Sequence, residues 1–299
     1  MRGVWTALVT PFQPSGQIDF DAYRKLLRDQ RAAGVAGVIP CGTTGESPTL
    51  SVDEKKKLIT TALEEMRGST TQVVAGTGSN DTRETVELSR WASDAGVQGV
   101  LIVTPYYNKP SAAGLEAHFR AIADAIQCKV MLYNVPGRTG ISLTPATIVS
   151  LSQHPRITSL KEATGNVAFA SEILDALATR GARLNLLSGD DATFLPFLSV
   201  GGVGVVSVAS NLFPRAMVAL QNAFDHGKLE EARALHQRFY PLFRDLFVEA
   251  NPVPIKAALA AQGLCGETVR LPLTELTTSS REKLSESLQR CGIARGVPL

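Results

Sequence analysis

The sequence predicts an α/β fold: a (β/α)8 TIM barrel with a C-terminal helical extension. Three observations carry that prediction. Short apolar runs rich in β-formers recur eight times along 299 residues, stretches of helical periodicity separate them, and the runs lack polar alternation. Alternation would mark a sheet with one wet face. Its absence puts both faces of each strand in apolar surroundings, as in parallel strands covered by helices. Eight strand–helix units make a closed barrel the leading architecture.

Taken in order, the strand runs are "VWTALVTP", "VAGVIPCG", "QVVAGTG", "GVLIVTPYY", "KVMLYNVP", "ITSLKEAT", "LNLLSGDD" and "VGVVSVAS". Between them lie stretches such as "DFDAYRKLLRDQRAAG", "SVDEKKKLITTALEEMRG", "NDTRETVELSRWASDAG" and "NVAFASEILDALATRG". Several open on Asn, Ser or Asp and close on Gly, as from Asn80 to Gly96 and from Asn166 to Gly181, which is the pattern of a capped helix. The rival is an open doubly wound sheet, but "AGTGSND" falls short of a dinucleotide fingerprint because Asp81 stands where the third glycine belongs. After about Gly227 the strand texture stops. "KLEEARALHQRFYPLFRDLFVEA", "PVPIKAALAAQG" and "SSREKLSESLQRCG" read as three amphipathic helices. The barrel is therefore expected over 1–226, carrying the active site, and a helical domain over 227–299.

Composition narrows the class. The chain is 44% hydrophobic and 19% charged with a formal charge of +2, and its basic residues are scattered among acids. That argues against nucleic acid or a membrane surface as the main partner. Cys41, Cys128, Cys265 and Cys291 stand far apart with no CxxC, so neither a disulfide framework nor a zinc knuckle is suggested. "MRGVWTALVTPF" is broken by Pro11 and too short for a secretory core, and no apolar run approaches a membrane span. A cytoplasmic globular protein is expected.

In a barrel, chemistry gathers where strands run out. Those ends read "GTTGE", "TPYYN", "YNVPGRTG", "LKEATG" and "LSGDD". Alternation puts Lys161, Ser159 and Ile157 on one face of their strand, and Tyr133 and Met131 on one face of its neighbour. If both faces point inward, an amine and a phenol meet. A lone lysine usually keeps its amine in solvent, but an inward one cannot do so easily. A desolvated amine is a nucleophile that condenses with a ketone to a Schiff base, an electron sink for carbanion formation. No metal is expected to share that role, because His118, His154, His226 and His236 stand apart; Asp190 and Asp191 could ligate a cation but read rather as caps of the following helix. "GTTGE" is a tight, hydroxyl-rich turn, either a plain βα connection or a nest for a small carboxylate. Arg138 in "YNVPGRTG" offers a planar fork for a second carboxylate or a surface ion pair. Tyr106 and Tyr107, being adjacent, point oppositely, and one of them is expected at the pocket mouth or a subunit neighbour.

"GTTGES", "VTPYYN", "YNVPGRTG" and "KEATGN", in this order and spacing, closely resemble the dihydrodipicolinate synthase family, and the likeness extends to "LLSGDDA" and "FVEANPVPIK". The resemblance implies that Lys161 forms an imine with pyruvate and that Thr44, with the backbone near Val206, binds its carboxylate. Gly189 belongs to the same substrate-binding set. Tyr133 would pass protons, relayed through Thr43 to Tyr107 of a neighbouring subunit. Arg138 would receive the carboxylate of L-aspartate 4-semialdehyde. The implied product belongs to lysine and diaminopimelate biosynthesis, with no cofactor and a homotetramer built as a dimer of tight dimers. Ser47, Asn80, Glu84 and Tyr106 match a lysine-regulatory site, but Val52 and Lys55 replace two family histidines, so weak inhibition or none is expected. The wider group also holds pyruvate-dependent aldolases and lyases acting on sugar acids, the alternative reading; Arg138 and Tyr107 speak for the synthase. A barrel that binds pyruvate or an amino acid without turnover is a third, disfavoured by the intact Lys161, Tyr133 and Thr43.

Overall fold

The eight apolar runs each form a strand in the computed structural model, which describes residues 1–293. They are β1 (Gly3–Ala7), β2 (Gly37–Ile39), β3 (Gln72–Gly76), β4 (Gly99–Val103), β5 (Lys129–Asn134), β6 (Ile157–Glu162), β7 (Asn185–Ser188) and β8 (Gly204–Ser207). They close into a barrel in chain order. The helices that alternate with them are α1 (Phe20–Ala33), α2 (Val52–Met66), α3 (Thr82–Asp94), α4 (Ala112–Asp124), α5 (Pro136–Thr139), α6 (Pro145–Ser152), α7 (Val167–Thr179), α8 (Phe194–Ser199) and α9 (Pro214–Asp225). The expected extension forms α10 (Leu229–Asp245), α11 (Val253–Ala261) and α12 (Thr278–Arg290); residues 294–299 of it lie outside the described residues. No helix among the described residues is long and apolar enough to cross a membrane.

Local chemistry sets the helix ends. Ser51 and Glu54 form a reciprocal capping box at the start of α2, which satisfies two otherwise orphaned amides. Asn166 caps α7 as the sequence predicts. For α3 the cap is Asp81, whose carboxylate accepts from the amides of Arg83 and Glu84, and not Asn80. The side chain of Asn80 is engaged elsewhere, as described below. Asp190 and Asp191 do not cap α8 through their side chains: the helix has no side-chain cap, and the Asp190 carboxylate accepts from Ala192 N within the preceding turn.

The described chain divides into two compact units. One comprises Met1–Gly3 with Gln72–Val206, the other Val4–Thr71 with the residues from Ser207 onward. In the first, Val74, Val100, Ile102, Leu132, Leu160 and Leu186 are buried, the result of strands apolar on both faces. β8 approaches the chain start so closely that a Cβ on Gly204 would meet backbone atoms of Gly3, so glycine is required there. In the second unit, the Asn211 side chain accepts from Val9 N and donates to Ala7 O. Thr6, Gln30 and Ser210 form a buried hydrogen-bonded set beside it. Phe213 stacks on Phe239 of α10 with ring centroids 4.7 Å apart. Asp245, also buried, takes hydrogen bonds from Arg244 and from Ser287 of α12.

Candidate active site

Lys161 is the penultimate residue of β6, and its register partner on β5 is Tyr133. Only 5% of Lys161 is exposed, and its Nζ lies 4.1 Å from the centroid of the Tyr133 ring. The amine is therefore held against an aromatic face within the protein, where few lysines sit unless an ion pair holds them. Ser159, two residues earlier, is fully buried, and its Oγ finds no hydrogen-bond partner among the described residues.

Two features fix the amine's place. Gly189 follows β7, and its amide donates to Glu162 O at 2.7 Å. A Cβ there would lie 2.6 Å from Ala163 Cβ and 3.1 Å from Lys161 Cε. Glycine at 189 thus leaves the volume that the lysine stem occupies. One residue along each strand, Asn134 pairs in register with Glu162, and Asn134 Nδ2 donates to Glu162 Oε1 at 3.0 Å. Thr164 donates to the same carboxylate. Burial pushes the Glu162 carboxyl above its ordinary value, against these hydrogen bonds. The bond joins β5 and β6 next to the Tyr133–Lys161 pair.

In the second unit the "GTTGE" loop follows β2. It bends through positive φ at Cys41 and Glu46, and the amides of Gly45, Glu46 and Ser47 donate to Gly42 and Thr43 carbonyls. Those three amides are thus engaged within the loop. Thr43 is half-buried and Thr44 buried. The Thr44 hydroxyl accepts a 2.9 Å hydrogen bond from Asn251 Nδ2. Glu46 is buried and paired with Lys256 at 2.7 Å, and Lys256 also donates to Thr10 O at 3.0 Å. Burial pushes the Lys256 amine below its ordinary value, against the pull of Glu46. Arg270 completes the cluster: its amide donates to Glu46, while its guanidinium pairs with Glu54 and lies over the Phe12 ring. Arg270 holds the Glu54 carboxyl down at about 2.

The remaining expected residues sit on other elements. Arg138 is exposed on the single turn of α5. Val206 is buried on β8. The two adjacent tyrosines diverge: Tyr106 is half-buried, whereas Tyr107 is 90% exposed with φ 71°. Asn80 Nδ2 donates to Tyr106 O, and Asn108 Nδ2 donates back to Asn80 O at 2.8 Å, which pins the "PYYN" turn to the start of α3. Burial and the Glu84 charge push the Tyr106 hydroxyl above its ordinary value. Asn80, Glu84 and Tyr106 are thus drawn together; Ser47 lies half-buried after the "GTTGE" loop. Glu46, Asn251 and Lys256 fall within "GTTGES" and "FVEANPVPIK", stretches that carry the family likeness, but the sequence assigns them no role. Among the described residues, no cluster of three or more His, Cys, Asp or Glu could hold a metal ion.

A closed parallel barrel with a buried lysine at the end of one strand and a phenol against it has the construction of a barrel enzyme working through an amine. The model of the Dihydrodipicolinate synthetase family matches residues 1–291. The chain belongs to that family. It is 48% identical over 289 residues to the 4-hydroxy-tetrahydrodipicolinate synthase of Leptospira biflexa, covering 97% of this chain and 96% of that one. Among solved structures, the 4-hydroxy-tetrahydrodipicolinate synthase of Methylacidiphilum fumariolicum SolV superposes with a TM-score of 0.94 at 47% identity, covering 98% of this chain and 96% of that one. The DHDPS of Cyanidioschyzon merolae, solved with lysine bound, gives 0.93 at 42% identity over 98% and 99% of the two chains.

Proposed function

We propose that the chain is a lyase that condenses pyruvate with L-aspartate 4-semialdehyde to 4-hydroxy-tetrahydrodipicolinate. The observation that carries this reading is the buried Lys161 amine, set in register against Tyr133; the named relatives supply the substrates. The Lys161 amine adds to the keto carbon of pyruvate and water leaves, giving an imine. The imine draws electrons from the adjacent methyl, which loses a proton and attacks the aldehyde carbon. The substrate's own amine then displaces Lys161 and closes the ring. Tyr133 carries protons to and from the nitrogen and oxygen, with Thr43 and Tyr107 as its relay. Thr44 and the backbone near Val206 hold the pyruvate carboxylate, Gly189 leaves space beside the lysine, and Arg138 takes the carboxylate of the semialdehyde. The imine serves as the electron sink, so the reaction needs no cofactor.

The same reading covers assembly and place. Tyr107 at 90% exposure suits a residue completed by a second copy, in a tetramer built of tight dimers. The barrel, 1–226, carries the chemistry, and 227–299 is its helical extension. The four free thiols suit the cytoplasm. Lysine inhibits weakly or not at all, since Val52 lacks a hydrogen-bonding ring and Lys55 brings a like charge toward a cationic ligand. Inhibition below millimolar lysine would refute that last point.

The test of the reaction is reduction with borohydride in the presence of pyruvate, followed by peptide mass spectrometry. The stable adduct is expected on Lys161 with loss of activity. Lys256 is also buried, but its amine is tied to Glu46, and it should stay unmodified. Label on any other lysine with Lys161 intact would overturn the assignment.

A further inference from the structure

We propose that Asn251 is a positioning residue for the pyruvate carboxylate: by donating to the Thr44 hydroxyl, it turns that hydroxyl's single proton toward the substrate. This rests on the reading of Thr44 as a holder of that carboxylate. A hydroxyl carries one proton and two lone pairs. In the structure Asn251 Nδ2 donates to Thr44 Oγ1 at 2.9 Å, with both residues buried. One lone pair is thereby occupied, and the proton cannot point at another N–H. It is left to donate elsewhere, as an anionic oxygen requires.

The loop that carries Thr44 is held so that this orientation persists. Gly45 O accepts from the Thr10 hydroxyl at 2.7 Å. One oxygen of Glu46 takes the Lys256 amine at 2.7 Å, and the other takes the Arg270 amide at 2.9 Å. Asn251 and Lys256 lie on one short stretch of chain entering α11. That stretch therefore grips the loop at a substrate-facing hydroxyl and, two residues on, at a buried carboxylate.

Reversing the polarity of the bond separates orientation from mere packing. Steady-state rates of the full-length enzyme would be measured for Asn251→Ala, Asn251→Asp and Thr44→Val, with thermal melts to confirm folding. Asn251→Ala frees the hydroxyl to rotate. It is expected to raise KM for pyruvate about tenfold, the scale of one hydrogen bond, with kcat and KM for the semialdehyde within about twofold. Asn251→Asp keeps the shape but accepts the hydroxyl proton and places a negative charge near the substrate's own. It is expected to raise KM for pyruvate about 100-fold, because bonds and repulsions involving charge are stronger. A packing role predicts the opposite order, the isosteric Asp being milder than Ala, and that order would overturn the proposal. If Asn251→Ala fails to fold, the Asp variant decides alone: a KM for pyruvate within twofold of the parent sinks the idea. Should Thr44→Val raise KM while Asn251→Asp does not, only the inference about Asn251 falls. An unchanged KM in Thr44→Val would overturn the reading of Thr44 and this inference with it.

Discussion

Replacing Lys256 with methionine isolates the energetics of the buried pair beneath the "GTTGE" loop. The two side chains are 0% and 1% exposed and 2.7 Å apart. Methionine matches the lysine stem in length, so little cavity opens, and the loss is electrostatic. The Glu46 carboxylate would keep the neutral Arg270 amide as a donor but lose its cation, and Thr10 O would lose its donor. Removing one member of a buried pair costs about 3–5 kcal/mol, because the other charge remains desolvated without compensation. With an unfolding entropy of roughly 2 cal/mol/K per residue, each kcal/mol moves the melting temperature of a chain this long by about 1.6 °C, so a fall of about 5 °C or more is expected. Circular dichroism melts at pH 7.5 would measure it. Adding Glu46→Gln removes the stranded charge while keeping an acceptor for the Arg270 amide, and the double variant should recover most of the loss. A Lys256→Met protein melting within about 2 °C of the parent would refute the reasoning. So would a double variant that melts as low as the single one.

Other predictions follow from the same geometry. Tyr133→Phe should slow turnover by roughly 10²–10⁴-fold, the range for one acid–base group, with an unchanged melting point; normal rates would reduce the phenol to packing. Gly189→Ala puts a methyl 2.6 Å from Ala163 Cβ and 3.1 Å from Lys161 Cε. It should cost about 1–3 kcal/mol of stability and slow imine trapping, with partial recovery in Gly189→Ala/Ala163→Gly; an unaffected single variant would contradict the close fit. His118 is buried, and burial pushes its imidazole down to about 4. The unfolded chain binds that proton near pH 6.5 and the folded one does not, so this contribution is complete above pH 6.5. It is lost as pH falls toward 4, by about 3 kcal/mol. His118→Gln should flatten the stability profile in that window, and an identical slope in both proteins would exclude His118 as the cause.

The strands were legible because each is a short apolar run closed by Gly, Pro or a hydroxyl residue, and parallel strands need no subtler code. The amine and phenol were legible for the same reason: counting by two along "KVMLY" and "ITSLK" gives the faces, and the observed Tyr133–Lys161 register agrees. Capping was harder to read. Asn80 and Asp81 are both good caps, and only the return of the "PYYN" turn onto Asn80 leaves the helix to Asp81. The partners of Thr44 and Glu46 fall in "FVEANPVPIK", which shares in the family likeness, but nothing local in it tells what they pair with. Asn251 lies 207 residues away and Lys256 lies 210 residues beyond Glu46. In "PVPIKAALAAQG" the sequence reads no more than an amphipathic helix. Pairing of that kind is a property of the assembled chain, and no periodicity announces it.

Those long separations set an order of events. A chain emerging from its N-terminus makes the "GTTGE" loop early, yet Glu46 has no cation and Thr44 no donor until the last sixth or so of the protein has been made. Until then the loop would strand a carboxylate away from water, so it is expected to stay open. A barrel trimmed to its eight strands, however well closed, would inherit the same fault. Anyone shortening, permuting or grafting this scaffold must therefore carry the stretch from Asn251 to Lys256 along with the loop that it grips.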